Sequence, residues 1–546
     1  MSIKKYLKKP SVVCLFIITN VIFWCACKPK KAEHKIFKFL DTTHSQVNFV
    51  NKNTEGASFN ILDYLYFYNG GGMASADFNN DGMQDLYFVS NEGENKLYIN
   101  KGDLKFEDVT KKAGVSGSGS WKTGVTIVDI NGDGFKDIYV SVVSGYKGFT
   151  GKNQLYINNG NLTFTEEAAK YGLDFSGFST QASFFDYDKD GDLDMFLLTS
   201  SVHDNNAYGD AAQRLAYDKN AGDHLFRNDG GKYTDVTRGS GIYASVIGYG
   251  LGVSVGDLNN DGWDDIYISN DFFEQDYYYI NQKNGTFKEA LKDAFGHTSL
   301  YSMGNTLSDV NKDGYLDVLS TDMLPEEMKA LKSTVSDEPL DIYNQQVNSG
   351  YYYQYTKNSL QLNVGNGKKF VDISLYSGVS ATDWTWSPLV QDFDMDGRKD
   401  MFFSNGIKKR LNDIDYIKYM NDQDINTGFE TNRTFDQTKI DLMPTGKVHN
   451  YLYHGEDNLK FNDISDGNDM TQPSMSSGSI AVDLDNDGDL ELVTNNMDEA
   501  AYIYQNMTME HSGALKPAFL KLSVKYTRGN LDGIGTKLYL RSTKQV

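Results

Sequence analysis

Seven short stretches of this chain carry oxygen ligands at a spacing suited to a hard cation. The shared pattern is D-x-[DN]-x-D-G-x-x-[DE], with side-chain oxygens at positions 1, 3, 5 and 9 and a glycine at position 6. The first copy is Asp77, Asn79, Asp81 and Asp85, the second Asp129, Asn131, Asp133 and Asp137, and the third Asp186, Asp188, Asp190 and Asp194. The fourth is Asp257, Asn259, Asp261 and Asp265, and the fifth Asp309, Asn311, Asp313 and Asp317. The sixth is Asp392, Asp394, Asp396 and Asp400; the seventh, Asp483, Asp485, Asp487 and Glu491, ends in Glu. Ligands at positions 1, 3 and 5 converge on one side of a tight loop, and glycine at position 6 permits the sharp turn. Position 7 would lend only its backbone carbonyl, so its side chain is free to vary, and it is Met83, Phe135, Asp192, Trp263, Tyr315, Arg398 and Asp489. Position 2 would point into the fold instead, and it is apolar or aromatic in every copy, from Phe78 and Ile130 to Leu484.

Of the 28 residues at positions 1, 3, 5 and 9, 24 are acidic and the rest are asparagine, so each loop concentrates negative charge. Two carboxylates about 4 Å apart repel by roughly 4 kcal/mol at an effective dielectric near 20. Without a counter-cation such loops splay. An all-oxygen donor set on a flexible loop, with no His or Cys in the pattern, favours Ca²⁺ over zinc, copper or magnesium. Up to seven structural Ca²⁺ would move the formal net charge from -22 to -8, so most of the acidity is a metal-binding feature. The bland alternative, a solvated acidic turn, leaves the contrast between positions 2 and 7 unexplained.

These loops are not EF-hands, which need a bidentate Glu at position 12 and flanking helices. A strand-like run follows each loop at once, as in Leu86-Tyr87-Phe88-Val89 and Ile266-Tyr267-Ile268, and an apolar run such as Val125 to Val128 precedes it. Strand, loop, strand is a hairpin. Two more strands follow most hairpins, for example Lys96 to Asn100 and Lys105 to Val109. Four antiparallel strands per repeat and seven repeats predict an all-β fold: a seven-bladed β-propeller with calcium loops in the A–B hairpins and a few helical insertions. Blade seven lacks a clear fourth strand after Tyr502 to Tyr504, and Phe37 to Thr42 resembles the fourth strands elsewhere. That N-terminal stretch is expected to complete blade seven and close the ring.

The composition agrees: 13% aromatic residues, 51 Gly and only 8 Pro suit short strands and tight turns. A net charge of -22 argues against a nucleic-acid partner, which needs a basic face. All three cysteines, Cys14, Cys25 and Cys27, precede residue 28, so no disulfide or cysteine-zinc site can brace the rest. Lys4, Lys5, Lys8 and Lys9 followed by an apolar stretch from Ser11 to Trp24 read as an export signal. Trp24-Cys25-Ala26-Cys27 resembles a bacterial lipobox, with Cys27 as the lipidated first residue of the mature chain. Residues 1–27 are therefore expected to be a lipoprotein signal peptide and 28–36 a linker, with the membrane reached through the lipid alone. The expected location is an exported, outer-membrane lipoprotein, facing the periplasm or the surface.

The loops resemble FG-GAP/VCBS repeats, as in the propeller heads of integrin α-chains. Ser302-Met303-Gly304, Thr321-Asp322-Met323-Leu324-Pro325, Asp383-Trp384-Thr385-Trp386-Ser387-Pro388 and Asn412-Asp413-Ile414-Asp415-Tyr416 resemble a narrower group of lipoproteins related to cartilage acidic protein. Asn530-Leu531-Asp532-Gly533-Ile534-Gly535 resembles the opening of an ASPIC/UnbV domain. The resemblance implies a propeller over residues 37–508 and the start of an ASPIC/UnbV domain, expected to be truncated, over 516–546.

Long B–C connections, about residues 200–222, 324–357 and 405–448, would crowd the face opposite the calcium loops, where inserted segments commonly carry function. An aromatic residue recurs eight positions before the first ligand, as Trp121, Phe178, Tyr249, Tyr301 and Trp384. Because nearly every blade has one, packing between blades accounts for most of them. Trp386 has no counterpart in the repeats and is the better ligand contact; Trp121, Tyr249, Tyr301, Trp384 and Trp386 form the possible ligand face. No catalytic residues are assigned. Gly252-Val253-Ser254-Val255-Gly256 matches G-x-S-x-G but lies in a strand before a loop, not at a strand-to-helix turn. The expected function is an extracytoplasmic, non-enzymatic binding or adhesion module for a glycan or protein; the alternative is a carbohydrate-active lyase or hydrolase using the insertion face.

Overall fold

The computed structural model describes residues 35–56, 59–202, 209–334, 339–427, 437–513, 516–526 and 529–538; the export signal and Cys27 lie outside them. Seven four-stranded antiparallel sheets succeed one another along the chain. In blade two the strands are Trp121–Val128, Asp137–Val143, Gln154–Asn158 and Phe164–Glu166, and the calcium-type loop joins the first to the second. Each blade repeats that order of strands A to D. The A strands contact those of both neighbouring blades all the way round, which places them about the central axis. Their glycines allow the approach: a Cβ on Gly124 would lie 2.5 Å from the carbonyl oxygen of Thr180, and one on Gly304 2.2 Å from that of Trp386.

Strand B of every blade is buried along its whole length, because neighbouring blades cover both its faces. That explains its continuous apolar runs, such as Asp194–Thr199 with Met195, Phe196, Leu197 and Leu198. Apolar clusters fill the gaps between blades, for instance Phe185, Phe196, Leu198, Ile266, Ile268 and Tyr277 between blades three and four. Phe37–Leu40 pairs antiparallel with Tyr502–Asn506, Phe37 opposite Asn506 and Leu40 opposite Ile503. The N-terminal strand thus completes blade seven as its outer strand, and the ring is closed by two distant parts of the chain.

The insertions are B–C connections, as their sequence positions predict. They carry the helices Met328–Ser333 and Leu340–Asn348 in blade five, and Ile414–Thr427 and Gln437–Asp441 in blade six. A further long connection, between Leu40 and Met73, joins them. Its Ile61, Tyr64, Tyr66, Phe67 and Tyr68 enter the same apolar cluster as Trp121, Tyr249, Trp384 and Ile407. Among the described residues no helix is long and apolar enough to cross a membrane.

Candidate metal centres and ligand face

Every loop adopts the same backbone. Position 4 is left-handed in all seven copies, from Asn80 (φ 57°) and Gly132 (φ 68°) to Met395 (φ 55°) and Asn486 (φ 62°), and so is the glycine at position 6. This curl turns the N–H groups inward. In the first loop Asp77 accepts from Asp81 N at 3.1 Å and Gly82 N at 2.8 Å, while Asp81 accepts from Met83 N at 2.9 Å. The position-9 carboxylate ties the loop to the blade: Asp85 accepts from Phe78 N at 3.0 Å and from Asn100 N on strand C at 2.8 Å.

The seven loops fall into two kinds. In three of the four loops with Asn at position 3 its side-chain amide donates to the position-5 carboxylate, Asn79 to Asp81 at 2.9 Å, Asn131 to Asp133 at 2.8 Å and Asn311 to Asp313 at 2.9 Å; in loop four Lys283 meets Asp261 at 3.2 Å instead. Where it is Asp, in loops three, six and seven, no such donor exists. There three carboxylates gather within 4.8 Å of one another: Asp186, Asp188 and Asp194; Asp392, Asp394 and Asp400; Asp483, Asp485 and Glu491. One oxygen of each first ligand, Asp186, Asp392 and Asp483, is buried without a hydrogen-bond partner among the described residues. Orphaned buried oxygens beside like charges fit a hard cation, and these residues would hold one.

Burial pushes the position-9 carboxyls up, against the backbone N–H groups that lower them. Asp85, Asp137, Asp317 and Asp400 rise to about 7, Asp194 and Asp265 to about 8, and Glu491 to about 9. Protein cations already approach some loops. His454 Nε2 lies 3.1 Å from Asp394 and 3.3 Å from Asp396, and its hydrogen bond to Asp394 lifts the imidazole to about 9. Lys537 Nζ donates to Asp257 at 2.5 Å and Lys521 lies 3.5 Å from Asp483, so residues 516–526 and 529–538 reach this face of the ring.

The repeats carry two further devices that the ligand pattern did not reveal. In five blades the Asn ending strand C donates its side-chain amide to the position-2 carbonyl of the preceding blade, as from Asn158 to Phe78 at 2.9 Å, Asn281 to Tyr187 at 2.8 Å and Asn363 to Leu258 at 2.7 Å. Asn100 and Asn506 do the same to Leu484 and Phe393. Position 4 reaches the other way, Asn260 to the Gly314 carbonyl at 2.8 Å and Asn486 to that of Gly82 at 2.9 Å. The recurring Tyr-Ile-Asn of strand C was the available signal for the first.

On the opposite face the recurring aromatics divide. Trp121 and Tyr249 are each 1% exposed and sealed into the central cluster, so they brace the insertions and offer no surface to a partner. Tyr301, Trp384 and Trp386 line a cavity of about 280 Å³ together with Tyr66, Phe272 and Met323. Trp386 is only partly buried, its indole N–H held by the Gly406 carbonyl at 2.8 Å. Asp271 also borders the cavity, its carboxyl pushed up to about 8 by burial. Ser254 sits in strand Gly250–Gly256 paired with Tyr267, its hydroxyl donating to the Asn305 carbonyl at 3.4 Å, which is not a nucleophile elbow.

Comparison with known proteins agrees with this geometry. A family model for the FG-GAP-like repeat matches residues 77–140, 142–197 and 257–320, covering the loops of blades one to five apart from unmatched stretches between them. Cartilage acidic protein 1 of Xenopus tropicalis is 27% identical over 210 residues, which cover 37% of this chain and 29% of that protein. The match thus spans 29% of that relative's length. Fold, loops and repeat matches together make this an FG-GAP β-propeller, an architecture of binding and adhesion modules.

Proposed function

We propose that this chain is an exported, calcium-braced binding module whose insertion face takes up a glycan or a protein. The carrying observation is an aromatic cavity beside Trp386, walled by the connection between Leu40 and Met73, by the blade-six insertion and by residues of blades four and five, on the face where all three long B–C insertions enter one apolar cluster. A cavity lined by Tyr66, Phe272, Tyr301, Trp384 and Trp386, with Asp271 at its border, suits a sugar or an aromatic anchor from a partner. The seven loops on the other face would hold Ca²⁺ as a structural brace and keep the blades in register. Catalysis is not part of this reading. The N-terminal signal and Cys27 would place the module outside the cytoplasm and tether it by a lipid.

The test is a pull-down on immobilised polysaccharides and surface proteins, in calcium and then in chelator. Retention in calcium that is lost for Trp386→Ala, with the melting temperature unchanged, supports the reading. Retention unaffected by Trp386→Ala removes the cavity from it. Release of oligosaccharide products would favour a carbohydrate-active enzyme instead.

A further inference from the structure

The seventh loop differs from the other six in what its seventh position does. Asp489 is 1% exposed, and its side chain turns inward. One oxygen accepts from Met509 N at 2.9 Å, while the other is buried with no hydrogen-bond partner among the described residues. It faces the carboxylates of Asp487 and Glu510. The helical turn Thr508–His511, which follows strand C of blade seven, swings Glu510 over the loop. Oxygens of Asp485, Asp487 and Glu510 then lie within 4.8 Å of one another, a second trio distinct from Asp483, Asp485 and Glu491. Gln505 donates to the remaining side of Glu510 at 3.3 Å.

Two other loops serve as internal controls. Loop three has the same five acidic residues, yet its Asp192 is capped by Gly230 N at 3.2 Å, and Asp186, Asp188 and Asp194 form its single trio among the described residues. Loop six does build a second trio, from Asp394, Asp396 and His454. There the third member is an imidazole, a nitrogen donor that adds no negative charge to the trio. In loop seven the third member is an acid from the turn after strand C, so the trio is three carboxylates and calls for a compensating cation. Six carboxylates converge on loop seven (Asp483, Asp485, Asp487, Asp489, Glu491 and Glu510), and one divalent cation leaves most of that charge uncompensated. Lys521 contacts Asp483 and Asn486, and among the described residues it forms no ion pair with Asp485, Asp487 or Glu510.

We propose that the seventh loop is a two-cation site, with a second Ca²⁺ held by Asp485, Asp487, Asp489 and Glu510 beside the one held by Asp483, Asp485, Asp487 and Glu491. Asp485 and Asp487 bridge the pair. The oxygen-only donor set selects a hard cation. The second ion would pin the Thr508–His511 turn onto the blade where the two ends of the chain meet. The inference rests on the reading of the seven loops as calcium sites.

The test is calcium stoichiometry on the full chain, by equilibrium dialysis with elemental analysis, for the wild type, Glu510→Gln and the double variant Asp489→Asn/Glu510→Gln. Glu510 is exposed, so its substitution leaves the fold intact. The expected result is a loss of one equivalent of Ca²⁺ in both variants, with all other equivalents retained. Terbium–europium energy transfer between closely spaced ions should vanish in the same variants. Equal stoichiometry in wild type and variants overturns the second site while leaving the loops as calcium sites. A wild type that binds no calcium overturns both.

Discussion

The position-9 carboxylates show how one residue type can stabilise or threaten the fold according to what faces it. Asp85, Asp194 and Glu491 are fully buried, receive two backbone N–H groups each, and still sit far above the ordinary carboxylate range because burial penalises their charge. In the absence of divalent cations the folded chain therefore binds more protons than the unfolded one between about pH 4 and the raised values of about 7 to 9. Linkage then requires stability to fall as pH rises through that window. The metal-free protein is expected to melt at a higher temperature at pH 5 than at pH 8. Calcium should reverse the order, since it binds the ionised loops. Thermal melts in chelator and in calcium across that range check both signs, and a metal-free melting temperature that climbs from pH 5 to pH 8 would refute the account. The carboxylates themselves were legible in the sequence, because the same four oxygens recur seven times against varying neighbours. The left-handed position 4 was not, because backbone curvature there is met by Asn, Gly, Lys and Met alike.

At the level of the element, the unit is a hairpin locked to its neighbour rather than a hairpin alone. Asn281 joins three parts: its N–H goes to Asp265 in its own loop at 2.9 Å, its side-chain amide to Tyr187 in the preceding blade, and its side-chain oxygen accepts from Lys283 N at 2.8 Å. Removing the side chain leaves a buried carbonyl without its donor, which costs about 1–3 kcal/mol. Asn281→Ala should lower stability by that amount in urea titrations with calcium present, whereas the exposed Asn284→Ala should change it little. Blades three and six are the exceptions: Asn228 donates to the Leu193 carbonyl of its own blade at 3.0 Å, and blade six has Gly455 at this place, where a Cβ would lie 2.0 Å from the Lys399 carbonyl. Strand identity, blade count and the N-terminal outer strand could all be read from residue patterns, since each blade repeats the same alternation. The 41–72 connection could not: Ile61, Tyr64, Tyr66 and Phe67 follow no strand period and find their place only against residues brought from other blades. The same holds for the cavity, whose walls come from blades four, five and six and from that connection.

For the whole molecule, the face that carries the seven acidic loops would be contested by calcium and by the chain's own lysines. Calcium that binds only the folded loops stabilises each site by about 2.7 kcal/mol at a hundredfold excess over its Kd. The C-terminal stretch offers ammonium groups to the same oxygens, Lys537 to Asp257 and Lys521 to Asp483, and its Asn530 N–H reaches the Gly191 carbonyl of loop three at 2.9 Å. Lys136 of blade two pairs with Asp532, so the stretch is held at several loops at once. An ammonium and a Ca²⁺ cannot both occupy the first-ligand position, and the divalent ion wins when it is abundant because it gathers every oxygen of the loop. Calcium should therefore loosen residues 516–538 while tightening the propeller beneath them. Limited trypsin digestion is expected to cut at Lys521, Lys525 and Lys537 faster in calcium than in chelator, with cleavage inside the propeller slowed under the same conditions. Lys537→Ala should raise the affinity of the fourth loop for calcium and leave the second loop unchanged. If calcium slows cleavage at every site alike, the C-terminal stretch does not compete for the loops, and its lysines act only as surface partners of an already occupied face.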